Sequence, residues 1–162
     1  MAVDIDIAAM TPLHLDRVME IEQACFTAPW SKGTFYRELV SNPYATYIVA
    51  LAGEAVAGYA GTWLVLDESH ITNIAVAPEW RRHGIGRKLM EELLRISLSQ
   101  GARSITLEVR RSNVAAQNLY QSFGFVVAGV RRGYYTDDNE DALIMWLYDI
   151  AAYFDRKEQA HG

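Results

Sequence analysis

The stretch Arg81-Arg82-His83-Gly84-Ile85-Gly86 follows the apolar run Ile74-Ala75-Val76 and opens an amphipathic segment from Ile85 to Leu98. This order predicts a strand, a tight turn and a helix. Two glycines let a ligand approach the backbone closely, and the first amides of a helix have no acceptor within it. Because such amides bind phosphate groups, the stretch predicts a pyrophosphate site. A glycine-rich turn with no ligand is the alternative.

The glycine spacing differs from that of the common nucleotide-binding motifs. The chain has no Gly-x-Gly-x-x-Gly fingerprint, and no Gly-Lys-Ser/Thr follows a glycine at the P-loop interval. The sequence therefore contains no motif typical of a dinucleotide or nucleoside triphosphate site. Arg82 and Arg87 flank the turn and would add charge-assisted contacts to those of the backbone. A different carrier of pyrophosphate is expected.

The pattern Arg81-x-x-Gly84-x-Gly86 resembles the acetyl-CoA signature Arg/Gln-x-x-Gly-x-Gly/Ala of the GNAT acetyltransferase superfamily. Further motifs extend the resemblance over nearly the whole chain and direct it to the RimI-type ribosomal-protein-alanine N-acetyltransferases. They are Pro29-Trp30-Ser31, Asn73-Ile74-Ala75-Val76, Leu107-Glu108-Val109-Arg110, Ser112-Asn113, Leu119-Tyr120, Phe123-Gly124-Phe125, Arg132-x-Tyr134-Tyr135 and Glu140-Asp141-Ala142. The resemblance implies acetyl-CoA as cosubstrate and a protein N-terminus as acceptor.

The expected architecture is α/β with a single GNAT domain over residues 1–150. The resemblance implies a central, mixed, mostly antiparallel sheet of seven strands, flanked by about four helices, in which strands 4 and 5 part. The hydrophobic periodicity agrees with this, from an alternating strand over Val3 to Ile7 to a final pair of strands joined by an acidic turn. Residues 151–162 are expected to form a C-terminal tail that need not be ordered.

The resemblance also assigns cosubstrate contacts. They are expected from the strand and turn residues and from one amide side chain further on: Ile74, Ala75, Val76, Arg82, His83, Gly84, Ile85, Gly86, Arg87 and Asn113. Backbone groups of the strand would pair with the amide-rich arm of coenzyme A as an added strand would. His83 stands where related enzymes often carry glutamine, so a backbone role is expected there. Asn113 can also cap a helix.

Glu108 is the candidate base. It alternates with Leu107 and Val109, so its side chain should point away from the core on a strand beside the run 74–76. The resemblance assigns it the proton of the incoming amine, taken directly or through water. A solvated strand glutamate is the alternative, and His70, with a reference pKa of about 6.5, is an alternative base.

Tyr120 is the candidate acid. It follows Asn113 by two helical turns, so both could project toward one side of a short helix. A phenol with a pKa near 10 stays protonated at neutral pH and could hydrogen-bond or donate to a departing thiol, whose pKa is about 8.5. A core tyrosine is the alternative, and the resemblance favours the acid.

Trp30, Asn73 and Tyr134 are candidate substrate contacts in an aromatic-lined peptide slot. An N-terminal amine has a pKa of roughly 7.7 to 8.0 against about 10.4 for lysine, so one carboxylate suffices to deprotonate it. The resemblance implies the N-terminal alanine of a small-subunit ribosomal protein, a basic partner that an acidic rim at 137–141 would suit. Broader N-terminal specificity, a small-molecule amine acceptor and a noncatalytic acyl-CoA-binding module stay open as alternatives.

Composition excludes several other classes of protein. The 162 residues are 51% hydrophobic, which is enough for one core without metal or disulfide staples. Cys25 is the single cysteine and the four histidines are dispersed, so no metal site is expected. A net charge of −5 argues against direct nucleic-acid binding. With no spanning apolar run and no signal peptide, we expect a cytoplasmic protein away from membranes, with its oligomeric state open.

Overall fold

The structure, a computed structural model, describes residues 4–161. These residues form seven strands and five α-helices, with short 3-10 helices at Pro12–His14 and Pro78–Trp80. In chain order the elements are β1 (Ile5–Ala9), α1 (Leu15–Cys25), α2 (Lys32–Ser41), β2 (Ala45–Ala52), β3 (Ala55–Val65), β4 (Glu68–Val76), α3 (Ile85–Ser99), β5 (Ser104–Arg110), α4 (Val114–Ser122), β6 (Val126–Tyr135), β7 (Glu140–Leu147) and α5 (Ile150–His161). Among the described residues, no helix is both long and apolar enough to cross a membrane.

The seven strands form one sheet in the order β1-β2-β3-β4-β5-β7-β6. Four neighbouring pairs, β1 with β2, β2 with β3, β5 with β7 and β6 with β7, are antiparallel. β4 pairs with β5 in parallel, from Glu68 opposite Ser104 to His70 opposite Thr106. The predicted mixed, mostly antiparallel seven-stranded sheet is therefore confirmed. That strands 4 and 5 part further along stays a prediction.

The chain divides into two compact units, and the first comprises residues 1–63 and 72–93. Its core lies between α1, α2 and the strands β2 and β3. The apolar stripe of α1 recurs every three or four residues and is buried, which is the pattern of a helix packed on a sheet. The principal core side chains are Leu15, Val18, Ile21, Phe35, Val49 and Tyr59.

The second unit comprises residues 64–71 and 94–162. Alternate residues of β5 are buried, three residues of β7 are buried, and so are the two phenylalanines that follow α4. The principal buried residues are Ile105, Leu107, Phe123, Phe125, Met145 and Leu147. Gly124 follows α4 with a φ of 103°, a conformation that ends a helix and that glycine adopts without steric cost.

The C-terminal tail contains a helix that was not predicted. Residues 150–161 form α5. The Ile150 amide donates to the Arg103 carbonyl at 2.9 Å, and the Tyr153 ring packs 5.4 Å from that of Phe123. Asp149 accepts from the Ala152 amide and caps the helix. Contacts with residues distant in the sequence therefore stabilise this fifth helix.

The first strand is also displaced from its predicted bounds. The prediction began at Val3, which lies outside the described residues, and ended at Ile7, whereas β1 spans Ile5–Ala9. Its register with β2, from Ile5 opposite Ala52 to Ala9 opposite Ile48, sets those limits. Pairing with a neighbour, rather than alternation alone, decides where this strand ends.

Candidate active site

The predicted phosphate-binding turn lies between the 3-10 helix at 78–80 and the start of α3. Gly84 has a φ of 74°, and a Cβ built on it would find no atom within 4 Å. Glycine is therefore required here by backbone conformation, and the space beside it is open. Arg82 also has a positive φ, 67°, which is unusual for a residue with a side chain. Both arginines of the prediction, Arg82 and Arg87, are exposed.

The His83 side chain hydrogen-bonds to the backbone of this turn. Its Nδ1 lies 3.0 Å from the Trp80 carbonyl oxygen and 2.9 Å from that of Arg81. Because carbonyl oxygens only accept, Nδ1 must carry the proton. The ring also lies 5.5 Å from the Trp80 ring. A histidine side chain thus holds the turn, a role that the sequence analysis did not assign to it.

A second glycine allows α3 to pack closely behind the turn. A Cβ on Gly58 in β3 would lie 2.8 Å from the Ala75 carbonyl oxygen and 3.4 Å from Ile85 Cγ2. Ala75 is buried, whereas Ile74 and Val76 are half-buried on the opposite face of β4. The Val76 carbonyl accepts a weak hydrogen bond from the Cys25 thiol at 3.6 Å. The predicted cosubstrate strand and turn are therefore placed side by side within the first unit.

The predicted base and its alternative form a pair in the second unit. His70 Nε2 lies 2.7 Å from Glu108 Oε2. The parallel register brings them together, since His70 is opposite Thr106 and Glu108 is the next residue of β5 on the same face. Glu108 shares that half-buried face with Arg110, while Leu107 and Val109 are buried on the other. The predicted parity of Glu108 is confirmed.

The environment of Glu108 favours its ionised form. Partial burial raises the pKa of the carboxyl, but the hydrogen bond and charge of His70 and the charge of Arg131 lower it more, so the net pKa is below its usual value. Since the carboxylate can only accept, His70 Nε2 carries the proton between them. In a neutral His70 the lone pair is then on Nδ1. The pair has the arrangement of an imidazole base oriented by a carboxylate.

Tyr120 lies on α4 and is 7% exposed. Its ring packs 6.0 Å from that of Phe125, and burial, with the nearby charge of Tyr135, raises the pKa of its phenol to about 12. The phenol is therefore protonated at neutral pH. Asn113 caps α4, accepting from the Ala116 amide at 3.2 Å. Asn113 is exposed while Tyr120 is buried, so the two side chains are in different environments.

The three candidate substrate contacts lie on different elements of the fold. The Trp30 ring packs 5.1 Å from Phe35, and its amide donates to the buried carboxylate of Glu22 at 2.8 Å. Tyr134 is 43% exposed on β6. Asn73 faces the side of β4 opposite His70 and is buried, with no hydrogen-bond partner for Oδ1 among the described residues.

The acidic turn at 137–141 is largely occupied by ion pairs. Arg110 donates to Asp137, Asp138 and Glu140 at 3.0 to 3.2 Å, and Arg111 pairs with Asp141 at 3.4 Å. Arg110 also lies 4.0 Å above the Tyr135 ring. The turn therefore serves chiefly to anchor the β6–β7 hairpin, and the role of a free acidic rim loses support.

Two carboxylates of the first unit were missed as functional candidates. Glu22 is 2% exposed and accepts from the Tyr59 hydroxyl and the Trp30 amide. Glu38 accepts from three neutral donors, the Tyr47 hydroxyl, the Trp63 indole and the Asn42 side-chain amide. The signal for Glu22 was present in the sequence, because it falls on the apolar stripe of α1, where a charged residue is unusual. Glu38 gave no such signal.

Known proteins are similar to this chain in sequence and in fold. The Acetyltransferase (GNAT) family pattern matches residues 15–125. The ribosomal protein bS18-alanine N-acetyltransferase of Escherichia coli (strain K12) is 41% identical over 143 residues, which cover 87% of this chain and 95% of that protein. A Bacillus subtilis (strain 168) protein provisionally given the same name is 48% identical over 133 residues, covering 82% of this chain and 88% of that protein.

Solved structures give the same result. The ribosomal-protein-S18-alanine N-acetyltransferase from Escherichia coli superposes with a TM-score of 0.81 at 38% identity, over 89% of this chain and 93% of that chain. Ard1 from Thermoplasma volcanium superposes with a TM-score of 0.82 at 27% identity, over 90% and 97%. The family match includes the glycine turn, His70, Glu108 and Tyr120. The chain belongs to the GNAT acetyltransferase family.

Proposed function

We propose that the chain acetylates protein N-termini with acetyl-CoA, in the manner of the RimI-type enzymes, with the N-terminal alanine of ribosomal protein bS18 as the principal acceptor. The observation that carries the proposal is the pair of His70 and Glu108, 2.7 Å apart. It supplies the proton acceptor that an amine needs before it can attack a thioester. Two relatives, each covered over most of its length, bear the name of this activity.

The glycine turn fits the pyrophosphate of acetyl-CoA. The space beside Gly84 is open, its φ of 74° turns the chain into α3, and the first amides of that helix have no acceptor within it. Arg82 and Arg87 are exposed beside these amides. Ile74 to Val76 would hold the pantetheine arm and Asn113 its amide groups. When bound, acetyl-CoA supplies the acetyl thioester and the thiol leaving group.

His70 and Glu108 act together as the base. The substrate N-terminus has a pKa of roughly 7.7 to 8.0, so a large fraction is already neutral near that pH. The proton that the amine nitrogen loses as the amide forms passes, directly or through one water, to the pair. A carboxylate with a lowered pKa is a weak base by itself, but it orients His70 and stabilises the imidazolium that forms. Glu108 thus contributes most through its charge.

Tyr120 stabilises the leaving sulfur. A nitrogen–carbon bond forms as the carbon–sulfur bond breaks, and negative charge develops on sulfur. With the phenol pKa raised to about 12, full transfer of its proton to a thiolate of pKa about 8.5 is unfavourable by roughly 5 kcal/mol. Hydrogen-bond donation to the sulfur is favourable, and water then protonates the released thiolate. Tyr120 therefore acts as a hydrogen-bond donor more than as a proton source.

The proposal is tested with peptides and isotopically labelled acetyl-CoA, read by mass spectrometry. Peptides beginning with alanine, serine or methionine are compared with an N-terminally blocked peptide that contains lysine and with a polyamine. Label on the α-amine of the alanine peptide is expected. Label confined to lysine or to the polyamine would replace the proposal with another acceptor class. Tight binding of acetyl-CoA without transfer to any amine would indicate a noncatalytic binding module.

A further inference from the structure

His83 is the residue of the glycine turn whose side chain can gain or lose a proton near neutral pH. Its Nδ1 donates to the carbonyl oxygens of Trp80 and Arg81, at 3.0 and 2.9 Å. In a neutral imidazole of this tautomer, Nε2 carries a lone pair and no proton. Histidine has a reference pKa of about 6.5, so a nearby negative charge favours the protonated form at physiological pH. Glutamine, which related enzymes often carry at this position, has no such second state.

A hydrogen bond of His83 reaches the proposed pyrophosphate site through one peptide group. The C=O and N–H of a trans peptide point in opposite directions, and the Arg81 carbonyl shares its peptide with the Arg82 N–H. Among the described residues, the amides of Arg82, His83 and Gly84 donate to no backbone carbonyl. Arg82 and Gly84 have positive φ, and successive amides in such a turn form an anion-binding concavity. A charge on His83 therefore polarises the Arg82 amide and makes it a stronger donor to a bound phosphate.

The charged groups around the turn are mostly cationic. Glu79 of the preceding 3-10 helix forms an ion pair with Arg17 of α1. The titratable and charged groups of the turn and of the elements packed against it are Arg17 and Cys25 on α1, Glu79, Arg81, Arg82, and Arg87 and Lys88 on α3. The cations disfavour a proton on His83, and the carboxylate that would favour one is already paired. The two negative charges of a pyrophosphate bound on the turn would reverse this balance.

We infer that His83 takes up a proton when the turn binds the pyrophosphate of acetyl-CoA, so that the affinity for the cosubstrate rises as the pH falls. This inference rests on the proposed function and gives the His83 side chain a role in the donor site. The imidazolium keeps the donation from Nδ1 to the turn and adds a positive charge on the residue next to Gly84. Because coupling between two bound species is reciprocal, a proton that strengthens anion binding is itself held more tightly when the anion is bound. Donor binding in this chain is therefore linked to a proton, which a glutamine at position 83 would not allow.

The test measures the dissociation constant of acetyl-CoA by calorimetry at about pH 6 and about pH 8, in the wild type and in His83→Gln. The measured quantity is the ratio of the Kd at the higher pH to the Kd at the lower pH. The phosphate monoester of coenzyme A also titrates near pH 6, but it contributes equally to every variant. We expect the wild-type ratio to exceed that of His83→Gln about fivefold, the size of one partly exposed charge pair. His14→Gln, at another histidine of the first unit, is the matched control and should keep the wild-type ratio.

A proton count supplies a readout that a purely structural role of His83 would not change. The binding enthalpy of acetyl-CoA is compared, near neutral pH, in two buffers of different ionisation enthalpy, and the difference gives the number of protons taken up. The wild type should take up more protons than His83→Gln, by a fraction of one proton. A loss of affinity in His83→Gln that is equal at both pH values, with an unchanged proton count, would contradict the inference.

The outcomes separate this inference from the proposed function. Equal Kd ratios in the wild type and in His83→Gln overturn the inference, while acetyl transfer stands. No binding of acetyl-CoA to the wild type at either pH overturns the proposed function itself. If His83→Gln does not fold, the imidazole NMR signals of the wild type serve instead. Acetyl-CoA should then raise the pH at which the His83 signal titrates and leave that of His14 in place, and an unchanged His83 signal would overturn the inference.

Discussion

The glycine turn at 81–87 and the pair of His70 and Glu108 perform their proposed tasks by different physical means. The turn presents backbone amides, and its essential property is the positive φ of Gly84. The pair presents side chains, and its essential property is the 2.7 Å contact between two strands that are distant in the sequence. Donor binding thus depends on local backbone conformation, whereas amine activation depends on tertiary register.

This difference predicts that substitutions will separate binding from chemistry. Changes in the turn should act on the affinity for acetyl-CoA, and changes in the pair or in Tyr120 should act on the chemical step. A substitution that lowered both together would mean that the two regions cannot be treated as distinct.

The largest effect is expected from Glu108→Gln. Glutamine keeps the shape and one acceptor but removes the charge that stabilises an imidazolium on His70. We expect the single-turnover rate at saturating acetyl-CoA to fall by about a thousandfold. Calorimetry should find the affinity for acetyl-CoA changed less than about twofold, because the turn is unaffected. A rate equal to that of the wild type at every pH would remove Glu108 from the mechanism.

A smaller effect on the same step is expected from Tyr120→Phe. Loss of one hydrogen-bond donor to the developing charge should lower kcat by about a hundredfold. Because the ring packs on Phe125, phenylalanine should leave the thermal stability nearly unchanged. Tyr148→Phe, at a tyrosine that is 61% exposed, is the control.

The pKa of the Tyr120 phenol should also be reflected in how the rate depends on pH. With its pKa raised to about 12, Tyr120 should cause no loss of rate between about pH 8 and 10. A basic limb in that interval that disappears in Tyr120→Phe would contradict the assigned environment of the phenol.

Gly84→Ala tests the turn with a matched control. Gly53, at the β2–β3 turn, has a φ of 64° and no atom within 4 Å of a built Cβ, as Gly84 does. Alanine at either position should cost about 1 kcal/mol of folding stability. Only Gly84→Ala should also raise the KM for acetyl-CoA, by about tenfold with kcat retained. Equal KM values for the two variants would mean that the turn does not contact the cosubstrate.

The smallest effect concerns stability against pH. Because the folded pKa of Glu108 is lowered, its ionised form stabilises the folded state above the unfolded carboxyl pKa of about 4.3, and this contribution is lost as pH falls through the folded value. The Tm difference between wild type and Glu108→Gln should therefore shrink between about pH 6 and 3. A difference that grows on acidification would contradict the sign.

Features decided by a few neighbouring residues were predictable from sequence. Ser31 caps α2 by accepting from the Thr34 amide at 3.1 Å, and Gly101, with a φ of 94°, follows α3 where the periodic pattern ends. The hairpin at Gly53-Glu54 and the outward parity of Glu108 followed from the same local rules. Each depends on capping chemistry, on a positive φ or on the alternation of a strand.

Contacts between distant segments were not predictable in this way. His70 and Glu108 appeared as competing bases, because nothing in either strand showed the register that joins them. The acidic turn suggested a free rim, because no local signal showed that Arg110 would pair with three of its carboxylates. The tail from 151 onward lacked a strong pattern, yet contacts between Tyr153 and Phe123 stabilise a helix there.

By itself, the sequence determined the glycine turn, the alternation of the strands and most helix ends, since these depend on conformational preferences within a few residues. Only the tertiary structure decided which ionisable groups meet: His70 with Glu108, Arg110 with the acidic turn, and Glu38 with three neutral donors. The physical reason is that a charged side chain acquires its pKa and its partners from groups brought near by folding, and the spacing along the chain does not encode that proximity.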